Sequence, residues 1–123
     1  MQAPRRGKDF SKELAEKGWY HSFELPDGTS IEGYNKIGWL RTRYNRFPIP
    51  SDLTGRRVLD IGAWDGWFSF EAERHGAVVT SIDCIEVPNF LEIRRRLESK
   101  VDYRILDFYE LPEARLGVFD HVF

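Results

Sequence analysis

A chain of 123 residues is long enough for one small domain. Hydrophobic residues make up 41% and charged residues 31%, which excludes a disordered chain, and no apolar run reaches the roughly 18–20 residues of a membrane span. The net charge of −2 does not favour nucleic acid, and the single Cys84 excludes an intramolecular disulfide and a thiolate zinc site. We expect no metal, no membrane contact and a cytoplasmic setting.

The chain begins with an accessory segment, residues 1–50. A short capped helix is predicted over residues 10–17, with Gly18 as its stop. Alternating apolar residues over 19–25 then predict a strand. The turn signal at 26–28 predicts that a second strand follows and pairs with the first as a hairpin. The apolar face of this strand comprises Trp19, His21, Phe23 and Leu25.

A helix capped by Asn35 closes the accessory segment, because apolar residues recur there at helical spacing. These are Ile37, Leu40, Tyr44 and Phe47. A loose basic set surrounds the junction with the second part, and RNA binding is one interpretation of it. The set comprises Arg41, Arg43, Arg46, Arg56 and Arg57.

Residues 51–123 alternate strand and helix, which predicts an α/β domain with a Rossmann-like parallel sheet and flanking helices. Strands are expected over 57–61, 78–82, 103–106 and 118–123, and helices over 67–75 and 89–99. Because the chain stops inside the fourth strand, we expect a truncated half-domain. That strand would be poorly covered and open to self-association.

The turn after the first strand, residues 62–66, carries the strongest site signal. Gly62 and Gly66 bracket it, so a ligand can approach the backbone and its N–H groups without meeting a Cβ. Trp64 and Trp67 occupy the second and third positions of the G-x-G-x-x-G fingerprint, which disfavours a nicotinamide-dependent oxidoreductase. Trp64 either walls the ligand or packs on the accessory segment.

Three acids lie at or beyond the carboxyl ends of predicted strands, where parallel sheets bind ligands. Asp83 is placed to accept hydrogen bonds from ribose hydroxyls, with capping of the next segment as the alternative. Asp60 needs a partner inside a buried strand, either a ligand ammonium group, a water or the loop N–H groups. Asp107 is placed to accept from an adenine amine, or it is a surface turn residue.

No catalytic residue is predicted from the spacing of the histidines. His21 is interpreted as a half-buried structural residue of the hairpin, and His75 as a cation at a helix C-terminus. His121 is interpreted as packed within the fourth strand. No Ser-His-Asp or Cys-His arrangement follows from the sequence.

The residues resemble the first two motifs of class I SAM-dependent methyltransferases, through the run 58–62, Gly66, the pair 76–77 and Asp83. The runs 62–71 and 19–28 are also similar to the tRNA wobble-uridine (5-methoxy/5-oxyacetic acid) alkyltransferase-like group.

The resemblance implies S-adenosylmethionine or its carboxylated form as cofactor, with a tRNA uridine or a small molecule as acceptor. The implied cofactor-binding residues are Asp60, Gly62, Ala63, Trp64, Gly66, Asp83, Cys84, Ile85, Asp107 and Phe108. The alternative is a non-catalytic, partner-dependent module with the same fold.

Overall fold

The computed structural model of the chain describes residues 18–123. The helix predicted over residues 10–17 lies outside them. Within the described part, a two-stranded hairpin and a helix precede a four-stranded parallel sheet with helices packed on it. None of the helices there is long and apolar enough to cross a membrane.

The hairpin consists of β1 (Phe23–Glu24) and β2 (Ser30–Ile31), paired antiparallel. The predicted face is confirmed, since His21, Phe23 and Leu25 are buried and Trp19 is partly buried. The strands are shorter than predicted because the regular antiparallel pairing ends at Phe23 and Ile31, and irregular main-chain and side-chain bonds join the residues beyond them. Ser22 Oγ accepts the N–H of Gly33 at 2.9 Å and donates to the carbonyl of Asn35 at 2.8 Å.

Helix α1 spans Ile37–Asn45 and buries Leu40 and Tyr44, as predicted. The predicted cap is wrong by one residue, because Lys36 holds the N-cap position, and its side chain makes no capping bond to the helix. The backbone of Asn35 is occupied elsewhere. Its N–H donates to Tyr20 and its carbonyl accepts from Ser22, so this residue still belongs to the hairpin.

The parallel sheet has the strand order β5-β4-β3-β6. Its strands are β3 (Arg57–Ile61), β4 (Val78–Asp83), β5 (Asp102–Ile105) and β6 (His121–Val122). Helix α2 (Trp67–Arg74) follows β3, and helix α3 (Pro88–Arg96) follows β4. After β5 come a 3₁₀ turn (Phe108–Glu110) and the short helix α4 (Leu111–Ala114), neither of which was predicted.

Strand β6 is shorter than predicted because side-chain bonds hold the residues before it. The two terminal guanidinium nitrogens of Arg57 donate to main-chain carbonyls, Nη1 to Val118 at 2.7 Å and Nη2 to Leu116 at 2.8 Å. Asp120 Oδ2 accepts the N–H of Arg57 at 2.8 Å, in place of a ladder bond. Only His121 and Val122 pair with β3, along one edge of the sheet.

The chain order places a topological switch beside the central strand. From β3 the chain moves outward through β4 to β5, and it then returns to the other side of β3 as β6. In open parallel sheets, ligands bind in the crevice at the carboxyl ends of the strands where this reversal occurs. The loop that follows β3 therefore lies at the expected ligand position.

Candidate cofactor site

The glycine loop, residues 62–66, turns its backbone donors inward. The N–H groups of Gly62 and Ala63 both donate to the carbonyl of Ile82, at 2.9 and 3.2 Å, and Gly66 donates to Ala63 at 2.9 Å. The expectation that these groups face a ligand therefore differs from the structure. They instead fix the loop against the end of β4.

The two glycines of the loop have opposite surroundings. Both have positive φ, +69° at Gly62 and +90° at Gly66. A Cβ at Gly66 would lie 2.6 Å from the rings of Phe70 and Phe90, so this glycine is packed into the core. A Cβ at Gly62 would meet no atom within 4 Å. The loop is thus rigid on its core side and open at Gly62, over the carboxyl end of β3.

Asp83 links the glycine loop to the end of β4. It is 7% exposed, and its Oδ2 accepts the N–H of Trp64 at 2.9 Å while its Oδ1 accepts the N–H of Cys84 at 2.8 Å. It does not cap α3, whose N-cap is Val87. Each carboxylate oxygen keeps further acceptor capacity, which two ribose hydroxyls require.

Cys84 and Ile85 continue from Asp83 along the same edge. The Cys84 thiol is exposed, and its pKa is raised by burial and by the neighbouring charge of Asp83. Such a thiol is protonated and weakly nucleophilic at neutral pH. Ile85 is half-buried and packs against the core, and its carbonyl accepts from the Tyr103 hydroxyl at 3.3 Å.

Asp60 finds a partner that the sequence analysis missed. Its Oδ2 accepts the Ser69 hydroxyl at 2.6 Å, and Ser69 Oγ lies 2.6 Å from Ser81 Oγ. Of the predicted protein partners, the loop N–H groups bond elsewhere, to Ile82, Ala63 and Asp83, so the Ser69 hydroxyl takes their place on Asp60. Burial raises the pKa of Asp60 to about 6, opposed by the Ser69 hydrogen bond and assisted by the charge of Asp83.

Asp107 and Phe108 follow β5 on the surface. Asp107 caps the 3₁₀ turn: its Oδ1 accepts from Tyr109 at 2.9 Å, and its N–H donates to Glu110 Oε1 at 2.9 Å. The structure thus places Asp107 in a surface turn, which is one of the two roles predicted for it. The Phe108 ring is more than half exposed, at the carboxyl end of the sheet where it is free to contact a ligand.

The accessory segment covers the glycine loop from one side. The ring of Tyr20 meets Trp64 edge-on, with centroids 6.2 Å apart, so Trp64 does pack on the accessory segment. His21 is buried and bonded to Asp65, a loop residue that the sequence analysis did not single out. Among residues 18–123, no three His, Cys, Asp or Glu side chains are grouped as metal ligands.

Two comparisons relate the chain to known proteins, and no protein-family model matches it. It is 43% identical over 124 residues to a ubiquinone biosynthesis O-methyltransferase of Dechloromonas aromatica, covering 99% of this chain and 50% of that protein. The corresponding enzyme of Pseudomonas aeruginosa is 35% identical over 111 residues, covering 89% and 44%. The chain spans about half the length of these curated relatives.

Solved structures agree with the fold. The N-terminal domain of EvdMO1 with SAH bound matches with a TM-score of 0.59 and 25% identity, covering 94% of this chain and 52% of that one. The same domain in the presence of SAH and D-fucose matches with a TM-score of 0.60 and 26% identity, covering 99% and 52%. These matches confirm the predicted Rossmann-like fold. The narrower resemblance to the wobble-uridine group is not confirmed, since the relatives reported above are ubiquinone biosynthesis O-methyltransferases.

Proposed function

We propose that the chain binds S-adenosylmethionine and belongs to an enzyme that transfers its methyl group, as in the class I SAM-dependent methyltransferases that it resembles in sequence and fold. The observation that carries this proposal is the open face of the glycine loop at Gly62, next to Asp83 at the carboxyl ends of β3 and β4. SAH occupies a matching structure, the N-terminal domain of EvdMO1.

The residues present fit such a cofactor by their chemistry. Gly62 leaves space for a ligand that lies against the backbone. Asp83 offers acceptors to ribose hydroxyls, and Asp60 is a carboxylate two residues before Gly62 that suits an ammonium group. The cofactor supplies a methyl group on a sulfonium, so transfer depends on alignment with the acceptor more than on acid–base help. The chain's part is to bind and orient.

We further propose that the acceptor is an oxygen of a small molecule, as the names of the curated relatives state for those enzymes. The basic set that suggested RNA is largely engaged within the protein: Arg41 pairs with Glu24, Arg56 with Asp120, and Arg57 with main-chain carbonyls. A tRNA uridine is the second candidate acceptor. Transfer of a labelled methyl group to total tRNA, and not to a small-molecule extract, would favour it.

Calorimetric titration with SAH tests cofactor binding directly. We expect saturable binding that Asp83→Ala weakens at least tenfold, because charge-assisted bonds to ribose are each worth about 1.5–3 kcal/mol. NADH serves as the matched ligand control, since it shares the adenosine moiety. Absence of SAH binding by the folded chain, or equal binding of NADH, would contradict the proposal.

A further inference from the structure

The accessory hairpin is hydrogen-bonded to the glycine loop through His21. Its main-chain N–H donates to Asp65 Oδ2 at 2.8 Å, and its ring Nδ1 contacts Asp65 Oδ1. Asp65 is only 1% exposed, so the carboxylate is removed from water and satisfied by a residue 44 positions away in the sequence. With Asp65 as the acceptor, this contact requires the tautomer that carries a proton on Nδ1.

Ring contacts extend the same junction. The ring of His21 meets Phe68 edge-on at 5.9 Å, and the ring of Tyr20 meets Trp64 at 6.2 Å. The accessory segment thus contacts the loop at Trp64, at Asp65 and at the first turn of α2. The contacts with Trp64 and Asp65 are made by two adjacent residues, Tyr20 and His21.

The hairpin delivers His21 to a fixed position. Gly33 lies against the main chain of His21, and a Cβ at Gly33 would overlap its carbonyl group. The hydroxyl of Ser22 accepts the Gly33 N–H at 2.9 Å and donates to Asn35 at 2.8 Å. These contacts leave little freedom in the placement of the imidazole relative to β2.

The loop needs such support because its backbone is unfavourable. Trp64 has a φ of +59°, in the left-handed region that a bulky aromatic residue rarely adopts. Its own N–H donates to Asp83, and the next residue, Asp65, is bonded to His21. Loss of the contact between Asp65 and His21 removes one of the restraints that hold this strained residue.

We propose that His21 is a positioning residue of the cofactor site. Through Asp65 it holds the loop in the shape that keeps Gly62 open and the Trp64 N–H on Asp83. This inference rests on the proposed function for its effect on affinity. The accessory segment then contributes to the cofactor site indirectly, because His21 acts on the loop through Asp65.

Two substitutions of His21 separate positioning from burial. Asn places an amide nitrogen where Nδ1 lies and keeps the donor, whereas Leu is apolar and of similar size. We expect His21→Leu to weaken SAH binding at least tenfold and His21→Asn to stay within threefold of the unaltered chain. Leu25→Ala is the matched control in the same hairpin, because it removes buried apolar surface at a residue whose main chain bonds to Gly28 and Thr29 of the turn. It should lower Tm and leave the SAH affinity unchanged.

A ligand-free readout keeps this inference distinct from the proposed function. The amide signal of Trp64 in ¹H–¹⁵N spectra reports its bond to Asp83, and it should move in His21→Leu and stay in place in His21→Asn. Equal SAH affinity of the Leu variant and the unaltered chain, or an unmoved Trp64 signal, overturns the inference. If no variant binds SAH but the Trp64 signal moves as described, the proposed function fails and the positioning stands. Should His21→Leu not fold, Asp65→Asn gives the same two readouts.

Discussion

The buried carboxyl of Asp60 predicts that the protein loses stability as the pH rises through the weakly acidic range. Its pKa is about 6 in the folded chain against an ordinary 3.8, chiefly because of burial. Between these values the folded state holds a proton that the unfolded state has released, so stability falls as the pH rises. The gap between a pKa of 3.8 and one of about 6 corresponds to about 3 kcal/mol of folding stability. This contribution is fully present below pH 3.8 and fully lost above pH ~6.

Asp60→Asn isolates this effect. The amide oxygen still accepts the Ser69 hydroxyl, and the amide does not ionise. We expect urea unfolding to show a gain of about 1–3 kcal/mol for the variant at pH 7.5 and little difference at pH 4. Ser69→Ala is the companion variant, because the Ser69 hydrogen bond favours the charged form. Its loss should raise the pKa of Asp60 further and move the fall in stability to higher pH. A stability difference between Asp60→Asn and the unaltered chain that is independent of pH would refute this account.

Three further variants test how the loop and the sheet edge are held. Gly66→Ala forces a Cβ at φ +90° into Phe70 and Phe90 and should cost about 2–4 kcal/mol in urea unfolding, and a cost under ~1 kcal/mol would contradict the packing described. Arg57→Lys keeps the charge but loses the fork that bonds two carbonyls, and should cost about 1–2 kcal/mol in the same assay; no change would show that those bonds do not hold the approach to β6. Val122→Glu places a charge on the edge strand β6, where we predict self-association. Sedimentation should show less self-association than in the unaltered chain. Unchanged self-association would show that the chains do not associate through the β6 edge.

Local pattern was sufficient to predict the elements that frame the site. Strand β3 matches its predicted bounds of 57–61 because the apolar residues Val58, Leu59 and Ile61 are followed directly by a glycine. Helix α2 begins at Trp67 as predicted, since Gly66 supplies the left-handed residue that the turn requires. Asp83 was likewise placed at the end of β4, where the structure puts it.

Partners distant in the sequence could not be predicted in the same way. Ser69 reaches Asp60 only because α2 packs directly on β3, and no periodicity marks a serine as the partner of a buried acid. The contact between His21 and Asp65 depends on where the hairpin rests, which the sequence of neither segment specifies. In the sequence, Arg57 resembles any other member of the basic set. Only the fold shows that its guanidinium bonds to the main-chain carbonyls of Leu116 and Val118.

The most direct test of cofactor binding at the glycine loop compares two glycine substitutions. Gly62 and Gly55 have similar left-handed φ values, +69° and +74°, and a Cβ at either would meet no atom within 4 Å. Gly55 lies before β3, at the opposite end of the strand from the crevice. Alanine at either position should therefore cost a similar ~1–2 kcal/mol in stability.

Only the methyl group at Gly62 would occupy the space that we assign to the cofactor. Calorimetry with SAH should show at least a tenfold loss of affinity for Gly62→Ala and an unchanged affinity for Gly55→Ala. Equal affinities of the two variants would contradict a cofactor site at the glycine loop.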